Sequence, residues 1–187
     1  MSLVPTFEIG VWNAWIFMVY LFLSFIVFTY ITTKKKSPSL EEGHLSKIRI
    51  LFANSSKLIL IPAIIYSIFL PMKLETAWFY IGLSITFIGL ITYTIVLINW
   101  ATTPVDYQVS KGLYRFSRHP MYVTMFIYLL GLSIVTASWI LLLVTLIFII
   151  GCVLFANIEE ENCLNKYGNS YREYMNKTPQ WIGIPKS

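Results

Sequence analysis

MYVTMFIYLLGLSIVTASWILLLVTLIFIIGCVLFA, residues 121–156, is an almost unbroken apolar stretch. One membrane crossing takes about 20 apolar residues at a rise of about 1.5 Å each, so this stretch is too long for one helix and must double back. Small and polar side chains gather at Ser133, Thr136, Ala137 and Ser138, and the pattern predicts a helical hairpin turning there, with arms over 121–136 and 137–157. The first arm, about 16 residues, is short for a bilayer, so it tilts little or thins the membrane.

Working outward, three more apolar segments of spanning length lie at 11–31, 48–70 and 77–99. The chain therefore reads as an all-α polytopic membrane protein of five transmembrane helices, the last two a hairpin, followed by a helical C-terminal tail. Composition agrees: of 187 residues 57% are hydrophobic and only 12% charged, about half the charged share of a soluble domain. The first segment is too long for a signal-peptide core and no Lys or Arg precedes it, so it is expected to remain as a helix. One membrane domain is expected, with three N-terminal spans over 1–99 and a functional half over 100–187.

The net charge of +5 is mostly a topology signal. Lys34, Lys35, Lys36, Lys47 and Arg49 follow the first span, Lys111, Arg115 and Arg118 the third, and Lys166, Arg172, Lys177 and Lys186 the fifth, whereas Lys73 lies opposite. The positive-inside rule then places the N-terminus outside and the C-terminus in the cytoplasm, with attraction to membrane lipids rather than to nucleic acid. Loop 32–47, with the lone His44, reads as a solvated connector. Cys152 in the apolar run and Cys163 beyond it suggest no bridge, and no obligate protein partner is evident.

The long polar stretches at 100–120 and 158–187 are where function is expected. The last span runs on past Glu159, Glu160 and Glu161 to about Tyr167, where Gly168 suits a positive-φ cap. Ser170 with Glu173 three residues later forms a capping-box pattern, so a short helix is expected over 171–176, ending before Pro179. Leu164, Tyr167, Tyr171 and Tyr174 recur at helical spacing, giving a stripe that lies on the headgroup layer or folds back over the polar loop. Pro120 suits the first turn of the fourth span, which directs free backbone N–H groups toward the interface beside His119. Tyr114 and Tyr122 offer aromatic faces to a cation, and Asp106 and Gln108 offer partners for hydroxyl or amino groups. The same residues also fit a plain interfacial belt of aromatics and arginines. No metal-ligand set, nucleophile–base pair, Rossmann glycine pattern or phosphate loop is present.

The run Gly112-Leu113-Tyr114-Arg115-Phe116-Ser117-Arg118-His119-Pro120-Met121-Tyr122, then the hairpin, Glu159-Glu160, Tyr167-Gly168, Tyr171, Tyr174 and Thr178-Pro179, resembles the integral-membrane isoprenylcysteine carboxyl methyltransferase family, in particular its prokaryotic members. The resemblance covers roughly residues 99–181. It implies S-adenosylmethionine as methyl donor, S-adenosylhomocysteine as product, and a lipophilic acceptor, a prenylcysteine-type carboxylate or related lipid. It also implies cofactor binding by Asn99, Asp106, Tyr107, Gln108, Val109, Tyr114, His119, Pro120, Met121 and Tyr122. Glu159, Glu160 and Arg118 are the candidate catalytic residues, and Phe155 and Glu159 the candidate substrate contacts.

Leu113 stands where the family usually has proline, Thr124 where it often has glycine, and Gly183 where a terminal Ile-Pro is common. Phe155 replaces an arginine that commonly precedes the substrate glutamate by one helical turn, which removes the cation expected for a substrate carboxylate. A phospholipid amine N-methyltransferase is therefore an alternative. An NADPH-dependent sterol-type reductase sharing the Arg-His-Pro-x-Tyr element, and a non-catalytic scaffold, are others. Gly82, Thr86 and Gly89 on the third span with Gly131 and Ser133 on the fourth allow either close helix contact or a lateral slot for the acceptor.

Overall fold

The structure is a computed structural model that describes residues 8–34, 61–104 and 106–186. The described residues form helices and no strand, with one isolated backbone bridge between Asn13 and Pro71. In chain order they are α1 (Trp15–Lys34), a helical piece α2 over 61–68, α3 (Ala77–Ala101), a 3₁₀ turn (Gly112–Arg115), α4 (Pro120–Val135), α5 (Trp139–Tyr167) and α6 (Asn169–Lys177).

The hairpin is present, and its local chemistry accounts for it. The Thr136 hydroxyl turns back onto the Leu132 carbonyl at 2.9 Å, Ala137 takes φ 49°, and the Ser138 Oγ accepts from the Leu141 N–H at 3.2 Å. That last bond satisfies one of the free N–H groups at the start of α5. The two arms meet through Ser133 and Thr145, whose hydroxyls lie 3.4 Å apart in the buried interior.

Five spans are not what the helices deliver. Among the described residues, two helices are long and apolar enough to cross a membrane, Ala77–Ala101 and Trp139–Tyr167, while Trp15–Ile31 and Pro120–Val135 are shorter apolar helices. The turn at 136–138 stops α4 after 16 residues, or about 24 Å at the α-helical rise, against a hydrocarbon core of about 30 Å. Most of the expected second span, 48–60, lies outside the described residues, as does most of loop 32–47 with His44.

Small residues on α3 and α4 make a contact and leave no slot between these two helices. A Cβ added at Gly89 would come within 2.5 Å of the Tyr128 backbone, one at Gly82 within 2.5 Å of the Val135 nitrogen, and one at Gly131 within 2.5 Å of the Thr86 nitrogen. Backbone against backbone leaves no path there for an acceptor, so the lateral slot between these helices is set aside. At the far end, the Ala14 N–H donates to the Leu70 carbonyl at 3.0 Å and the Lys73 N–H to the Val135 carbonyl at 3.0 Å. The Tyr128 hydroxyl donates to the Phe17 carbonyl at 2.7 Å. These bonds tie the start of α1, the 70–73 connector and the hairpin together, so that the polar groups at the opposite end stand on a fixed frame.

Candidate active site

Three pieces of chain converge where α4 begins and the apolar part of α5 ends. Pro120 occupies the first turn of α4 and lacks the N–H that would have had no helical partner. α5 runs on to Tyr167, where Gly168 with φ 58° ends it. The capping box does not form: α6 already starts at Asn169, and the Ser170 hydroxyl turns back to the Tyr167 carbonyl at 3.0 Å. The tyrosine stripe folds back, with Tyr171 and Tyr174 buried and the Tyr174 hydroxyl donating to the Tyr114 carbonyl at 2.7 Å.

Beyond α6 the chain lies against residues 116–119. The Arg118 N–H donates to the Pro179 carbonyl at 3.0 Å, the His119 N–H to the Gln180 carbonyl at 3.3 Å, and the Gly183 N–H to the Phe116 carbonyl at 3.0 Å. Arg118 is thereby held over Glu160. Its Nε donates to Oε1 at 2.8 Å and its Nη2 to Oε2 at 3.2 Å, while Nη1 donates to the Met175 and Thr178 carbonyls at 3.0 and 3.3 Å. A two-pronged guanidinium–carboxylate pair fixes orientation as well as charge.

His119 sits between the two glutamates. Its Nε2 lies 3.0 Å from Glu160 Oε1, and its Nδ1 lies 3.5 Å from Glu159 Oε2, an ion-pair contact too long for a good hydrogen bond. The Tyr122 hydroxyl donates to the same Glu159 oxygen at 2.9 Å, and the Tyr122 ring is parallel to the imidazole at 5.7 Å. Burial pushes the His119 pKa down, but its close contacts with Glu159 and Glu160 and their negative charges outweigh it and raise it to about 9. His119 is therefore an imidazolium at neutral pH, with a proton for each carboxylate.

The stabilising contribution of that cation is complete below the unfolded value of about 6.5 and is lost as pH rises through about 9. Thermal unfolding in detergent should show the melting temperature falling across that window, and the fall should flatten in His119→Asn. A wild-type profile as flat as the variant's would contradict the assignment.

The structure thus gathers Arg118, His119, Tyr122, Glu159 and Glu160 into one cluster. Phe155 stands half-buried one turn before Glu159. Tyr114 and Pro120 are buried beside the cluster, and Met121 packs on the hydrophobic core. Asp106 and Tyr107 are exposed on the connector and Val109 is half-buried; none of the three joins the cluster. Gln108 reaches across to α6, its Nε2 donating to the Ser170 carbonyl at 2.9 Å. Asn99 Nδ2 and Gln108 Oε1 are buried and have no hydrogen-bond partner among the described residues. Gly112, at φ 59°, faces Asn99 so closely that a Cβ there would lie 2.0 Å from Nδ2.

Sequence reasoning missed the part played by Ser117, Thr178, Gln180 and Trp181. Three of these meet residues 117–119 through backbone or hydroxyl contacts, and the Trp181 ring lies 5.6 Å from the imidazole. Ser117 and Thr178 stand in the motif run quoted above, but nothing in the sequence marked whom they would meet.

Helices fit to cross a bilayer, with a buried ionic cluster where they emerge, define a membrane protein with a polar site at its interface. The chain belongs to the phospholipid methyltransferase family, whose model matches residues 72–170, just over half of its length. No curated protein matches it. Membership makes the chain a membrane methyltransferase acting on lipids, and the reductase and scaffold readings fall away. The matched segment runs from the connector before α3 to the start of α6, and the clamping segment 178–183 lies beyond it.

Proposed function

We propose that the chain transfers a methyl group from S-adenosylmethionine to the amine of a phospholipid headgroup, at the interface where α4 and α5 meet. The observation that carries the acceptor class is Glu159: its side chain is 45% exposed while that of Glu160 is 9% exposed and engaged by Arg118. A half-exposed carboxylate beside Phe155, held in direction by the Tyr122 hydroxyl and His119, suits an ammonium group and repels an acidic one. Arg118 and His119, the cations of the cluster, are both held by glutamates, which leaves neither for a prenylcysteine carboxylate.

The residues fit the donor. Among the described residues, Asn99 Nδ2 and Gln108 Oε1 are a buried donor and a buried acceptor without partners, and such groups cost about 1–3 kcal/mol each unless a ligand or water meets them. Asn99, Asp106, Tyr107, Gln108, Val109 and Tyr114 would hold the cofactor, with His119, Pro120, Met121 and Tyr122 closing the side toward α4. S-adenosylmethionine supplies a methyl group already activated on a positive sulfur.

An amine acceptor must shed its proton before attacking, and Glu159 is the group placed to take that proton or to balance the ammonium charge. The Tyr122 hydroxyl and the His119 imidazolium fix the direction of that carboxylate, and the Arg118–Glu160 pair fixes His119. The remaining work is alignment at about 3–3.5 Å with water excluded.

In this reading the chain is one multi-pass domain, with α1 and α4 as short crossings in a thinned bilayer. The site faces the cytoplasm with the basic residues around it, and the N-terminus lies outside.

Calorimetry with S-adenosylhomocysteine tests the donor side. Asn99→Ala and Gln108→Ala should each weaken binding about ten-fold, as loss of one hydrogen bond to a polar ligand implies. Affinity unchanged in both would place the cofactor elsewhere.

A further inference from the structure

Gln180 Nε2 donates to Asn157 Oδ1 at 2.9 Å. Asn157 closes the apolar stretch of α5, where Val153 and Leu154 just before it are 44% and 69% exposed, so residue 180 lies at the level where the hydrocarbon layer gives way to headgroups. From there the tail stays at that level. Gly183 is tied to Phe116, four residues before α4 begins, and the Lys186 N–H donates to the Lys177 carbonyl at 2.8 Å.

The N–H of Gly183 is directed inward and its Cβ position faces Pro179 at 2.9 Å. Ile182 and Ile184, on either side of half-buried Gly183, face away from the described residues. They are 74% and 89% exposed, beside Phe116 at 49%. Arg115, Lys177 and Lys186 are exposed around them.

We propose that residues 181–186 are an interfacial anchor that seats Ile182 and Ile184 at the headgroup–acyl boundary and sets Lys177 and Lys186 against lipid phosphates. The occupant of this apolar ridge is the bilayer itself, for three reasons. The ridge continues the lipid-facing surface of α5, it lies at the depth of Asn157, and its charges complement anionic headgroups. Through the backbone bonds to Phe116, Arg118 and His119, the anchor holds the loop that carries the cluster. It is independent of which acceptor is methylated.

Neither isoleucine is buried against the described residues, so substituting them tests the membrane contact without opening the described core. Hydrogen exchange would be measured on the full chain in vesicles of equimolar phosphatidylcholine and phosphatidylglycerol. Ile182→Asp with Ile184→Asp should speed exchange at residues 116–119 and 180–184 about ten-fold or more, since each isoleucine loses its apolar burial. The α3–α4 contact should stay protected, and Ile182→Leu with Ile184→Leu should behave as wild type. Exchange in the aspartate variant equal to wild type would mean that the ridge faces water and would overturn the anchor. Replacing phosphatidylglycerol by phosphatidylcholine should speed exchange a few-fold, and indifference to the swap would overturn the phosphate contacts of the two lysines.

Discussion

Glu160→Ala should cost about 3–5 kcal/mol of stability, the range for removing one partner of a buried ion pair. The reason is the company Glu160 keeps: it accepts two bonds from Arg118 and one contact from His119, and its side chain is only 9% exposed. Alanine leaves two cations facing each other with no anion between them. The tail should detach first, since Arg118 also binds the Met175 and Thr178 carbonyls. Limited proteolysis should then cut near residues 178–183 while α3 and α4 stay intact. Glu160→Gln keeps one acceptor and should fall between wild type and alanine. Thermal unfolding of Glu160→Ala within about 0.5 kcal/mol of wild type would mark an ordinary surface position and contradict the lock.

Glu159→Gln should leave the fold in place and remove most of the activity. Glutamine keeps an acceptor for the Tyr122 hydroxyl but takes no proton and carries no charge, so a loss of about 10²–10⁴-fold in kcat is expected, the usual contribution of a positioned acid or base. Wild-type activity should rise with pH as the acceptor amine loses its proton. A carboxylate acceptor needs no base and would give a profile flat through neutrality. The decisive pair is therefore the pH profile of wild type beside the residual rate of the variant.

How much of this was legible depends on whether a residue acts alone or through a partner far along the chain. Gly168 and Pro120 were readable because each has one physical property, tolerance of positive φ or lack of an N–H, that fixes its place at a helix end. The hairpin was readable from length alone. Ser170 misled because Asn169 is already helical and Gly168 takes the cap, so the serine hydroxyl turned back to Tyr167.

The glycines of α3 and α4 announced close approach, but contact and slot share one pattern until the backbone separation is known. Arg118, Glu159 and Glu160 were named as candidate catalytic residues and His119 as a cofactor contact, and the structure brings the four side chains together. Their pairing was hidden, since it needs the tail to return across about 60 residues, on main-chain bonds that leave no side-chain signature.

The most direct test of the account is the fate of a labelled methyl group. Purified protein in vesicles containing phosphatidylethanolamine and a prenylcysteine lipid would be supplied with methyl-labelled S-adenosylmethionine, and the lipids separated and treated with mild alkali. Label is expected on the phosphatidylethanolamine headgroup in an alkali-stable N–CH₃ linkage, abolished by Glu159→Gln. Label released from the prenylcysteine lipid as methanol, with none on the amine, would contradict it.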